Sequence, residues 1–165
     1  MTRRLTSEER EAWLALAALL FTLPPALDSQ LQRDEDLTMA DYMVLNTLSE
    51  HHERRLRMSD LAATAQTSQS RLSRIVARLE HDGYVRRSMA AGDRRVVVAQ
   101  LTQAGLEKVV KAAPKHLETV RQLVLNRLDA GQIGALTEIS RALLGDSYPP
   151  SRNGQVPTLA AVPGG

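Results

Sequence analysis

The chain contains no cysteine, which excludes disulfides, thiolate metal sites and thiol-based redox sensing together. It also lacks a glycine-rich loop able to cradle phosphate, and no nucleophile stands at a suggestive spacing from a base, so an enzyme is not expected. His51 and His52 would be neighbours on one helix and point apart, while His81 and His116 have no obvious carboxylate or thiol companions. Neither a metal site nor another cofactor is therefore expected. No apolar run is expected to approach the roughly 18 residues of a membrane span. The opening stretch Met-Thr-Arg-Arg-Leu-Thr-Ser-Glu-Glu continues with charge rather than an apolar signal core. These absences fit a cytoplasmic protein with no membrane partner. Internal repeats are lacking as well.

What is present is one domain's worth of chain: 165 residues, 43% apolar and 24% charged, enough for a real core but not for two independent domains. The net charge of +2 hides an asymmetry. Residues 54–95 carry ten arginines (54, 55, 57, 71, 74, 78, 86, 87, 94 and 95) against Asp60, Glu80, Asp82 and Asp93, a local charge of +6. The rest of the chain holds 11 basic and 15 acidic residues. Attraction to phosphate depends on such a local face rather than on total charge. A solvated surface is the bland alternative, and the exclusive use of arginine argues against it.

The hydrophobic spacing predicts a mainly α fold with a small β-hairpin. A first helix starts at Thr6 or Ser7 with an apolar stripe of Trp13, Leu16, Ala17, Leu20 and Leu23. Pro24-Pro25 predicts a kink or break in it, because Pro25 has no amide hydrogen and the residue before a proline is pushed out of helical geometry. Thr38 caps a second helix ending near Glu50 to His52. A short strand at Leu56 to Met58, a third helix capped by Ser59, and a fourth capped by Thr67 and spanning Ser68 to Asp82 follow. In the fourth, Leu72, Ile75, Val76 and Leu79 form one buried stripe. Thr67, Ser70, Ser73, Arg74 and Ala77 fall opposite it, flanked by Arg71 and Arg78. Small residues and arginines on that face suit close approach to a groove. Gly83 ends the helix. Tyr84–Met89 and Val96–Leu101 read as strands joined through Gly92-Asp93-Arg94. Thr102 caps a long helix that Pro114 should bend, Asp129 caps a last one, and residues 146–165 read as a disordered tail. Helix, turn, helix and basic hairpin are the parts of a winged helix-turn-helix, which places one helix in the DNA major groove.

Leu37-Thr38-Met-Ala-Asp-Tyr42-Met-Val-Leu45, Met58-Ser-Asp-Leu-Ala62, Asp93-Arg-Arg95, then Leu101-Thr102 and Gly105 occur in an order that resembles the multiple antibiotic resistance regulator (MarR) family over residues 8–144. The resemblance implies a homodimeric regulator of transcription, most often a repressor released from DNA by a small-molecule effector. It implies a helical dimerisation region (1–34 and 102–145) and a winged helix-turn-helix DNA-binding region (35–101). Two such units would bind a pseudo-palindromic operator in double-stranded DNA, placing the protein on the nucleoid when bound. The two-fold symmetry would set half-sites about one helical turn apart. The surplus of apolar residues on the terminal helices supports a dimer independently.

Within this frame Thr67, Ser68, Gln69, Ser70, Arg71, Ser73, Arg74 and Arg78 are recognition-helix candidates. The serines and backbone amides suit phosphate, and Gln69, Arg71 and Arg74 are long enough for base edges. Arg78, Arg86 and Arg87 fit contact with water alone equally well. Arg95 matches the family's wing-tip arginine, which enters the minor groove. Asp93 is expected to accept hydrogen bonds from Arg95 or the wing backbone, and Arg94 to meet phosphate. The family's ligand pocket makes Trp13, Met43, Asn46 and His51 candidates beside His52, although Trp13 fits a dimer core as well. The Pro24-Pro25 pair departs from a first helix that is usually continuous in the family. The alternative functions are a winged-helix protein-interaction module and a regulator without a ligand.

Overall fold

In the computed structural model, residues 4–90 and 92–145 are described, without the side chain of Arg94. Six helices and three strands follow the order α1 (Ser7–Glu35), α2 (Met39–Glu50), β1 (Arg55–Arg57), α3 (Met58–Thr64), α4 (Gln69–His81), β2 (Val85–Ala90), β3 (Asp93–Leu101), α5 (Gln103–Leu123) and α6 (Ala130–Leu144). A single 3-10 turn, Leu125–Arg127, separates the last two. The fold is mainly helical with a small sheet, as the spacing of apolar residues requires. The expected tail at 146–165 lies outside the described residues.

Reciprocal caps set three of the helix starts. Thr6 with Glu9, Thr38 with Asp41, and Asp129 with Gln132 each exchange a side-chain acceptor for a backbone amide, satisfying donors that a helix start leaves open. Two expected caps shift. Helix α3 starts at Met58, with Arg57 before it and no side-chain cap. Arg57 is still paired with Val98 in the sheet, so strand runs directly into helix. Helix α4 is capped by Ser68, whose hydroxyl accepts from Arg71 N at 3.2 Å. Thr67 instead places its Oγ1 inside without a hydrogen-bond partner.

Of the kink or break expected at the prolines, the break does not occur. The helix runs through Pro24 and Pro25 from Ser7 to Glu35. Both prolines lie on exposed backbone next to Leu20 (59% exposed) and Phe21 (80% exposed), where water can satisfy the carbonyls that lose an amide donor. Pro114 is likewise carried inside α5. The expectation of no membrane-length apolar stretch also needs correction. Residues 12–27 hold no charge, and α1 is long and apolar enough by length and composition to cross a membrane, with none of that window buried.

The core is built by α2, α4 and the sheet, with α5 across them. Leu72, Ile75, Val76 and Leu79 of α4 are buried as one stripe against Tyr42, Leu45 and Leu48 of α2, Leu61 of α3, and Val85, Ala99 and Leu101. The sheet is antiparallel in the order β1-β3-β2, with Leu56 opposite Ala99. The short strand therefore pairs with the hairpin as expected. Helix α1 meets α5 through Glu35, whose carboxylate receives Lys108 at 3.3 Å and Lys111 at 3.1 Å. Deeper in the same seam, His116 stands 3.2 Å from Gln30 Oε1 and 4.6 Å from the Tyr42 ring. Burial lowers the His116 pKa and raises that of Tyr42 to about 12, helped by the charge of Glu50.

Candidate nucleic-acid interface

Helix α4 presents Ser70, Ser73, Arg74 and Ala77 to solvent opposite its buried stripe, with Gln69 and Arg71 exposed at the sides. No large apolar side chain stands on this face, so a duplex could approach the helix backbone closely. Its N-terminus adds open amides that favour phosphate. Ser68 is committed to capping and also lies 3.2 Å from the Ser70 hydroxyl. Thr67 is half-buried in the turn before the helix. That turn needs Gln66 at a φ of 49°, a left-handed conformation that folds α4 back across α3.

The wing is the β2–β3 ribbon. Its tip turns through Gly92 at a φ of 89°, where a side chain would be strained. Asp93 Oδ1 accepts from the Arg95 amide at 2.9 Å and from its Nε at 3.4 Å, as expected. The ladder register shifts beside it: Met89 pairs with Val97 but Ala90 with Asp93. The Arg95 side chain is 93% exposed. Met89 and Val97 stand exposed just behind it. Arg94, expected on phosphate, has its side chain outside the described set.

Arg87 and Arg78 of the basic segment are each tied to a carboxylate on another element. Arg87, for which contact with water alone was one option, donates its backbone amide to Glu80 Oε1 at 2.9 Å, and its guanidinium reaches Glu80 Oε2 at 2.7 Å. Those contacts hold the Glu80 carboxyl below the usual carboxylate range and tie the wing's base to α4. Arg78 extends from α4 to α2, where its Nη2 donates to Asp41 Oδ1 and to Thr38 Oγ1. The Asp41 side chain is only 4% exposed. Sequence reasoning missed both partners, which lie 7 and 37 residues away.

Beneath the Arg78 bridge runs an open groove of about 850 Å³ between α1, α2 and α4. Pro24, Pro25 and Asp28 form one wall, Met39 and Met43 another, and Arg71, Arg74 and Arg78 a third. Three arginines of α4 and one carboxylate of α1, Asp28, thus border the same groove, together with the apolar Met39, Met43, Val44 and Ile75.

The sequence profile of the MarR family matches residues 35–96. A Bacillus subtilis protein described as the uncharacterized HTH-type transcriptional regulator YfiV is 34% identical over 143 residues, 84% of this chain and 87% of that protein. Among solved structures, Sco3205 of Streptomyces coelicolor, a MarR family transcriptional regulator in complex with DNA, superposes with a TM-score of 0.85 at 39% identity, covering 99% of this chain and 97% of that one. This chain belongs to the MarR family of transcription regulators. Also similar is AbsC, a MarR family regulator from the same organism, with a TM-score of 0.78 and 39% identity over 88% of this chain and 95% of that one. The Escherichia coli transcriptional repressor MprA is 29% identical over 62% of this chain and 58% of its own length. Regulators of the MarR family are DNA-binding proteins, not enzymes.

Of the four ligand candidates in this MarR-family chain, the groove takes in only Met43. Trp13 lies 11 residues before Pro24, roughly 16 Å along the helix at 1.5 Å per residue, and is 55% exposed. Asn46 is buried and donates its amide to Glu50 at 2.9 Å. His51 sits at the C-cap of α2 in extended conformation. Because the helix has ended, the His51 and His52 rings do not point apart but lie 4.8 Å from centroid to centroid. No group of three or more His, Asp or Glu suited to a metal gathers among the described residues.

Proposed function

We propose that this regulator is a homodimeric repressor that reads a pseudo-palindromic operator with α4 in the major groove and the Arg95 wing in the minor groove. The observation that carries this reading is the division of α4. One face is a buried apolar stripe and the other holds serines, an alanine, Gln69 and arginines, beside a wing that ends in an almost fully exposed guanidinium. Gln69, Arg71 and Arg74 are the base-edge candidates. Ser70 and Ser73 with the amides at the helix start address phosphate, and Asp93 shapes the wing. A titration of the full chain on the duplex upstream of its own gene tests this. Binding no tighter than to random duplex at physiological salt would end it.

The dimer rests on exposed apolar side chains at both ends of the fold. Trp13, Leu14, Leu19, Leu20 and Phe21 of α1 are each more than half exposed. No residue of α6 is buried, although Ile133, Leu136, Ile139 and Leu143 project from it. Apolar surface on this scale fits an obligate seam with a second copy. Effector control rests on the groove. Its arginines and apolar floor fit a small organic anion, and its wall includes α4 itself, so an occupant can bias the pose of the reading helix. Thermal-shift screening of small organic acids reads such an effector directly.

A further inference from the structure

Arg71, Arg74 and Arg78 lie at helical spacing along one side of α4, and by residue type all three look like contacts to DNA. Arg78 differs in being spoken for. Asp41 Oδ2 already accepts from Thr38 N at 2.9 Å and Thr38 Oγ1 at 2.6 Å, which fixes its rotamer, and Arg78 completes its shell at Oδ1. A carboxylate buried this far depends on that cation, and stripping the partner from such a pair is costly. The same helix start is tied in the other direction: Met39 N donates to Asp28 Oδ1 of α1 at 2.8 Å. A continuous polar path therefore runs from α1 through the first turn of α2 to the C-terminal half of α4.

We infer that Asp28, Asp41 and Arg78 form a strap that sets the position of α4 relative to α1, and through it the distance between the two reading helices of a dimer. Arg78 is then a positioning residue rather than a phosphate contact. The strap specifies half-site spacing, a property that no contact to a base edge controls. It rests on the reading of α4 as the DNA-reading helix and α1 as part of the dimer seam. Asp28, Thr38, Met39 and Arg78 also border the groove, so an anion seated there competes with Asp41 for the Arg78 guanidinium.

Selection from a library of random double-stranded DNA with the full-length protein tests the strap. The unaltered protein returns half-sites at one dominant spacing. Asp28→Ala and Arg78→Gln return a broader spread and bind the parental site about tenfold more weakly, in the range of one lost specific contact. Arg78→Gln keeps the parental salt dependence, whereas loss of a phosphate contact lowers the slope by about one. Asp28→Ala alone is decisive if Arg78→Gln does not fold, because Asp28 is outside the apolar core and on α1 rather than on the reading helix. One unchanged spacing in Asp28→Ala, or a lowered salt slope with unchanged spacing in Arg78→Gln, overturns the strap. Arg74→Ala separates this from the underlying reading. Its loss of affinity alongside unchanged spacing in the strap variants defeats the strap alone, and its failure to weaken binding defeats both.

Discussion

Gly105 lies so close to the Tyr84 carbonyl that a Cβ at position 105 would stand 2.1 Å from the oxygen and 2.8 Å from Leu101 Cδ1. The start of α5 is pressed onto the end of the sheet here. Thr102 N donates to the same carbonyl at 3.0 Å, and Thr102 Oγ1 donates to Gly83 O at 2.7 Å. Gly105→Ala has backbone rather than a flexible side chain to displace. It should destabilise the fold by about 2–3 kcal/mol, the upper part of the usual overpacking range. At 2–4 °C per kcal/mol, calorimetry at fixed protein concentration should show melting lowered by roughly 4–12 °C. An unchanged melting temperature would contradict this packing.

Arg95→Ala should separate affinity from stability. The side chain is 93% exposed and, among the described residues, pairs with Asp93, so melting should move by no more than about 2 °C, as for ordinary surface substitutions. Binding to operator and to random duplex should both weaken, by about tenfold, because a wing guanidinium acts mainly through electrostatics. Fluorescence anisotropy on the two duplexes checks it. A loss confined to the operator would mean that Arg95 reads bases instead.

Phe21→Glu tests the seam. Phe21 is 80% exposed, and a surface charge at such a position normally changes a subunit's own stability by less than about 0.5 kcal/mol. In a two-fold seam the same charge appears twice. Sedimentation velocity should show dissociation at concentrations where the parent is dimeric, with operator binding weakened more than tenfold as the two half-sites uncouple. A variant that remains a dimer places the seam elsewhere.

The buried His116 predicts a particular pH response. Burial depresses its folded pKa below the ordinary value of 6.5, so the unfolded chain binds the proton more readily. Its contribution is complete above about pH 6.5 and is lost as pH falls through and below that value, with a slope of at most about 1.4 kcal/mol per pH unit. His116→Gln keeps a polar partner for Gln30 and removes the titration. Urea unfolding should therefore show a flatter stability profile between about pH 6.5 and 5 in the variant than in the parent. Profiles of equal slope would exclude His116 as the source.

Much of this was legible in sequence where local chemistry decides. The stripe of Leu72, Ile75, Val76 and Leu79, the Thr38–Asp41 capping box and the Gly92–Asp93 wing depend on neighbours within a few residues. What stayed hidden depends on surroundings. Pro24 and Pro25 break a helix only when the freed carbonyls cannot find water, and exposure is not written in the dipeptide. Ser59 and Thr67 are good caps by type, but the chain passes from strand to helix at Arg57, two residues before the first, and the Ser68 hydroxyl displaces the second. An arginine on an outward face looks the same whether its partner is phosphate, Glu80 or Asp41. Only the folded chain tells Arg87 and Arg78 apart from Arg74.

Pro24 and Pro25 carry no hydrogen to offer the oxygens of Leu20 and Phe21 one turn earlier. A second protomer laid over that turn must either bring two donors of its own or leave room for solvent. A joint between copies that brings no such donors must keep water at this turn, in contrast to the oily stretch on its N-terminal side.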